Sequence, residues 1–160
     1  ITNAQKNPAE RLDPVSKPGA QVETNHHALP DLLKDFYDSA KYYKVDYASE
    51  LISLNKVILV RADMNFLGGV VEIDGGYEIW INGVLAVQYP NLLEVIFNRQ
   101  MGILYGLEEL KGARGLPIMS DRWELSPRYE LWAYNQNQRP TQRKVFFEKL
   151  AKKHPLERKL

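Results

Sequence analysis

The sequence predicts an α+β fold: a small mixed sheet preceded by one helix and followed by others. Three observations predict it. Apolar residues recur at helical spacing over 31–44, and again over 91–105. Between them, residues 56–81 are rich in Val and Ile at strand period. Turn signals, Asp74-Gly75-Gly76 and Asn82-Gly83, punctuate that middle stretch.

Taken in order, residues 1–28 are polar and carry Pro8, Pro14 and Pro18 without an apolar period. They read as an extended arm or linker, ordered by another chain, or as a disordered tail. A single domain over 29–160 follows, with a helical C-terminal extension. Its first helix, 31–44, begins after Pro30 and aligns Leu32, Leu33, Phe36, Tyr37, Ala40 and Tyr43. Strands are expected at 56–62, at 67–73, opened by Gly68-Gly69, and at 77–81, the last two joined as a hairpin. A short strand at 84–87 is expected after Asn82-Gly83.

The helix at 91–105 has Leu92, Ile96, Arg99 and Ile103 on one stripe, and Gly106 is placed to end it. A loop with Gly112, Gly115 and Pro117 leads to a helix from Ser126-Pro127 through Tyr134. A polar break over 135–140 precedes a final helix, 141–153, whose Val145, Phe146, Leu150 and Ala151 oppose a basic face.

The bulk numbers exclude several classes. A net charge of +1 provides no global field for nucleic acid or an anionic membrane. No apolar run reaches the roughly 18 residues of a membrane span. The absence of cysteine removes disulfides and thiolate metal sites but does not fix the compartment. The chain begins at Ile1, which fits removal of a signal peptide or trimming.

The most distinctive stretch is Arg99-Gln100-Met101-Gly102-Ile103-Leu104-Tyr105-Gly106-Leu107, followed by Ile118-Met119-Ser120. It resembles the active-site helix and Met turn of zincin or metzincin zinc peptidases, whose motif is H-E-x-x-H-x-x-G-x-x-H. The resemblance covers about 29–123 and includes the element order. Aligned on Gly102 and Gly106, Arg99 stands at the first ligand, Gln100 at the catalytic carboxylate, Ile103 at the second ligand and Glu109 at the third. Met119 stands in the Met turn, which in the family floors the metal. Arg and Ile do not ligate zinc, and Gln is not a base. The resemblance therefore implies a pseudopeptidase with no metal or other cofactor, and a secreted or cell-envelope setting. The same helix and Ile-Met pair also fit an unrelated small α+β domain.

Other residues offer chemistry too. His26-His27 is an adjacent pair without a third ligand at usable spacing. Asp63, Glu72, Asp74 and Glu78 gather around expected strand ends, where two carboxylates can act as acid and base. Ser120 and Ser126 have no nucleophile elbow, and neither glycine pair opens a phosphate loop. The C-terminal run Arg139, Arg143, Lys144, Lys149, Lys152, Lys153, Arg158 and Lys159 is a solvated helix face or an anionic partner's contact.

The leading expectation is an inactive metallopeptidase-like domain that binds protein within a larger assembly, through its arm and its former substrate cleft. Alternatives are an enzyme of another class using the strand-end carboxylates, and a nucleic-acid-associated protein using the basic tail. Arg99 carries the sharpest expectation. Either it is an exposed arginine on an ordinary helix, or, because its helix face is apolar, its guanidinium needs a carboxylate from Glu108, Glu109, Asp121 or Glu124; the resemblance, which sets Glu109 at the third ligand position, implies Glu109.

Overall fold

A computed structural model describes residues 10–11, 21–23, 28–47, 54–63 and 65–156. The chain is α+β, with five α-helices around a mixed sheet among the described residues. Strands β1 (Glu10–Arg11) and β2 (Gln21–Glu23) come first, then helix α1 (Ala28–Tyr42). Leu29, Leu33, Phe36 and Ala40 form the buried stripe of α1. Lys44, at a φ of 59°, ends the turn, and Val45 N donates to Ala40 O at 2.8 Å.

Three longer strands follow: β3 (Leu54–Arg61), β4 (Gly68–Ile73) and β5 (Gly76–Asn82). The sheet order is β1-β3-β5-β4, with β2 also on β3. β3 and β5 run parallel, and β4 turns back antiparallel to β5. The hairpin turns at Asp74-Gly75, where Gly75 takes a φ of 83° that L side chains rarely adopt. β4 is therefore the outer strand, with a second edge that no described strand pairs.

β1 pairs antiparallel and β2 parallel with β3. At 10–11 and 21–23, then, the expected arm is ordered by this chain's own sheet. The rest of residues 1–27 lies outside the described residues.

Strand alternation divides the core. Val57, Leu59, Val70, Ile79 and Ile81 join the main core with the helices. Ile58, Val60, Phe66 and Val71 form a smaller cluster, with Trp80 packed against it. Glu78 departs from the expectation of a strand-end carboxylate. It sits mid-strand, 1% exposed, paired in register with Lys56 and 3.2 Å from its Nζ. Trp80 Nε1 donates to Glu78 at 2.9 Å.

The strand expected at 84–87 is instead helix α2 (Val84–Gln88). Asn82 Oδ1 accepts from Val84 N at 3.1 Å, and Gly83 N donates to Val60 O at 2.9 Å, which bends the chain off the sheet. Leu85 and Ala86 are then buried while Val87 faces solvent, so tertiary contacts override β-propensity.

Helix α3 (Pro90–Leu104) carries the motif. Its first turn is capped from a distance: Glu130 accepts from Asn91 N at 3.2 Å and from Leu92 N at 2.8 Å. Glu130 belongs to α4 (Pro127–Asn137), which continues three residues beyond Tyr134, into the expected break. Gln136 is buried and Asn137 Nδ2 donates to Asn91 O at 3.1 Å, so docking on α3 extends that helix.

Helix α5 (Pro140–Lys153) packs Phe146, Phe147 and Leu150 into the core. Arg143 ties it to α1 through Asp35, at 2.6 Å, and Ser39. Among the described residues, no helix is long and apolar enough to cross a membrane.

Candidate functional site

The site forms where the chain doubles back after α3. Gly106, at a φ of 90°, closes the helix: Leu107 N donates to Gly102 O at 2.8 Å and Gly106 N to Ile103 O at 2.9 Å. These two bonds satisfy the last carbonyls and turn the chain. Leu110 then bridges to the segment after a short 3-10 turn, Pro117–Met119. Leu110 N donates to Met119 O at 2.8 Å, and Asp121 N to Leu110 O at 2.9 Å.

This return holds Glu109 over Arg99. Arg99 Nη2 lies 2.7 Å from Glu109 Oε2, and Arg99 Nε donates to Ser120 O at 3.0 Å. The Arg99 side chain is 8% exposed and that of Glu109 is 42% exposed. Of the four carboxylates considered from the sequence, Glu109 is the partner.

The other motif positions take different places. Ile103 is half-buried one turn further along α3, packed on the core. Gln100 is 1% exposed, and its Nε2 has no hydrogen-bond partner among the described residues. Gln100 Cγ sits 3.4 Å from where a Cβ on Gly68 would be, which places it beneath the start of β4. Met119 packs on Gly102, its Sδ 2.8 Å from where a Cβ on that glycine would stand, and Phe146 approaches the same point to 2.9 Å. Only a glycine lets the helix, Met119 and Phe146 meet this closely.

A cleft of about 110 Å³ opens beside Arg99, with Leu67, Gly68, Ser120, Asp121 and Trp123 on its walls. Its walls come from the loop before β4 and Gly68 at that strand's start, from α3, and from the segment after the turn. Gly68 keeps its lip low: a Cβ there would meet Ile96 Cγ2 at 3.0 Å and Trp80 O at 3.1 Å.

These residues do not fit zinc. The Arg99 guanidinium repels a dication, Ile103 has no lone pair, and the Glu109 carboxylate is engaged by Arg99. Among the described residues, no group of three or more His, Cys, Asp or Glu comes together to hold a metal.

His26 and His27 lie outside the described residues, while His154 Nε2 sits 2.6 Å from Tyr105 O. Asp63, Glu72 and Asp74 are exposed, apart from the buried Glu78. Ser120 Oγ accepts from Arg122 N at 3.1 Å, and Ser126 begins α4 as its N-cap residue. Arg143 is committed to α1, whereas Arg139, Lys144, Lys149, Lys152 and Lys153 are exposed and Arg158 and Lys159 lie outside the described residues.

Sequence reasoning missed the aromatic wall beside the cleft. Trp123 and Trp132 stack with ring centroids 4.1 Å apart, and Tyr129 meets Trp132 edge-on at 5.7 Å. The signal available was three large aromatics within ten positions, 123–132, on a segment without a clear helical stripe. Compared with protein-family profiles, curated proteins and solved structures, the chain gives no match.

Proposed function

We propose that this chain is a metallopeptidase-like domain without peptidase activity, which holds an extended segment of a partner protein as a subunit of a larger assembly. One observation carries the reading. Arg99 and Glu109, at the first and third ligand positions of the motif the sequence resembles, form an ion pair, and Arg99 lines a cleft that reaches the start of the outer strand β4.

The chemistry follows from that arrangement. An ion pair in place of ligands leaves nothing to activate water, so a bound peptide meets a closed polar floor. The outer edge of β4 offers main-chain donors and acceptors, and a peptide strand pairs with such an edge. Affinity then comes from the backbone, and selectivity from the walls of the cleft. Gly68 supports this use, because it brings β4 against α3 with no side chain at the lip.

The test is a library of synthetic extended peptides offered to the full chain and read by fluorescence polarisation. The peptides that bind are then N-methylated one amide at a time. Edge pairing predicts loss of binding at alternate positions and tolerance between them, because alternate amides face the sheet. Binding that tolerates N-methylation at every position, or cleavage of the bound peptide, contradicts the proposal.

A further inference from the structure

Next to the cleft is a larger recess of about 390 Å³, lined by Ala113, Arg122, Arg128, Tyr129 and Trp132. Its size is that of a small-ligand pocket or of a seat for one or two side chains. Its chemistry is uneven. The walls are aromatic, the charged groups are two arginines, and no carboxylate is among the lining residues.

Among the described residues, Arg122 and Arg128 make no ion pair. Arg128 lies 5.9 Å from the Tyr129 ring centroid, and Arg122 runs along Gly112, its Nε 3.7 Å from the position of a Cβ there. Asp121, the nearest acidic neighbour in sequence, accepts from Gly112 N at 3.0 Å. The recess thus combines stacking faces with two unpaired planar cations, the fork geometry that matches carboxylates.

The wall is also pinned. Trp132 stacks on Trp123, which is 7% exposed and donates Nε1–H to Pro117 O at 2.9 Å. Trp123 lines the cleft beside Arg99 as well. Trp123 thus touches both, lining the cleft and stacking on a wall of the recess. Rigid aromatics with arginines are the composition of interface anchor points.

We propose that this recess selects the partner of the strand edge: it takes an aromatic or large apolar side chain flanked by carboxylates, on an acidic peptide segment. The proposal rests on the peptide-binding reading for its occupant. The aromatic faces bury the apolar side chain, and Arg122 and Arg128 each pair with a flanking carboxylate. Charge complementarity favours this occupant over a neutral strand.

The experiment uses the full chain and its tryptophan fluorescence, with a synthetic peptide carrying Phe between Asp residues as the probe. A peptide with Asn for each Asp and a single-stranded oligothymidine are the comparisons. We expect the acidic peptide to perturb the stacked tryptophans and to weaken with added salt. We expect the Asn peptide to bind at least about tenfold more weakly. The double variant Arg122→Gln/Arg128→Gln should lose a similar factor with unchanged far-ultraviolet circular dichroism and melting temperature, since both side chains are exposed.

No binding of the acidic peptide, equal binding of the Asn peptide, or an unaffected double variant overturns the proposal. So does binding of the oligonucleotide in place of the peptide. An acidic peptide that survives N-methylation throughout yet still needs both arginines keeps the recess and removes the strand-edge reading, so the two fail separately.

Discussion

Arg99 and Glu109 meet at 2.7 Å from opposite sides of the water boundary: the arginine side chain is 8% exposed and the glutamate 42%. The pair is therefore asymmetric. Removing Glu109 strands a buried guanidinium, whereas removing Arg99 leaves a carboxylate that water can solvate. Glu109→Ala is expected to cost about 3 kcal/mol. Arg99→Met, which keeps most of the packing, is expected to cost about 1–2 kcal/mol through the lost bond to Ser120 O. Denaturant unfolding of the two variants checks this; equal losses, or the reverse order, contradict the buried placement of Arg99.

Gly102 is the point where the motif helix, Met119 and Phe146 converge. A methyl group there meets sulfur and ring carbon below 3 Å, inside the core. Gly102→Ala is expected to lose about 1–3 kcal/mol by overpacking, despite the better helix propensity of alanine. Adding Met119→Ala should return part of that loss in a double-mutant cycle. Strict additivity would show that the two residues do not press on each other.

Much of this arrangement was legible in the chain because its determinants are local. Gly106 announced the helix end, and the stripe Leu92, Ile96, Arg99 marked an inward face. The return of Glu109 to that face was implied by the resemblance, which set it at the third ligand position. What was not legible depends on distant contacts. The valines of α2 read as strand, and only the Asn82 side chain and the Val60 carbonyl make that segment turn. Glu78 looked like a strand-end carboxylate because its partner, Lys56, lies on another strand. The end of α4 is set by Asn91, 46 positions away. The Trp123–Trp132 stack joins a loop to a helix, which no single period reveals.

Gln100 leaves a buried amide nitrogen without a partner among the described residues. Such a group costs stability that an apolar side chain of similar shape does not. Gln100→Met is expected to raise stability by about 1 kcal/mol. A loss of that size in thermal or denaturant unfolding would show that the amide is hydrogen-bonded in solution.

Burial raises the phenol of Tyr37 from 10.0 to about 12, with a smaller contribution from Tyr47. Burial likewise pushes up Tyr105, whose hydroxyl donates to Tyr47 O at 3.0 Å. In the unfolded chain both ionise near pH 10, while the folded chain keeps its protons. The folded state therefore binds more protons above pH 10, and stability falls as pH rises through that range. The contribution is complete below pH 10 and lost by about pH 12 for Tyr37. Tyr37→Phe should flatten this alkaline slope in unfolding measured across pH. An unchanged slope would assign it to other groups.

Our proposal is that positions 99, 100, 103 and 109 correspond, by the resemblance, to those of a peptidase metal motif whose donors have been replaced. It is tested most directly by restoring them, with Arg99→His, Gln100→Glu, Ile103→His and Glu109→His in one chain. The three imidazoles would then supply the ligands a catalytic zinc requires. Metal content after dialysis, together with circular dichroism, reads the result. Stoichiometric zinc is expected in the quadruple variant and none in the parent chain. A quadruple variant that folds as the parent does and retains no zinc would contradict it, as would stoichiometric zinc held at these positions in the parent.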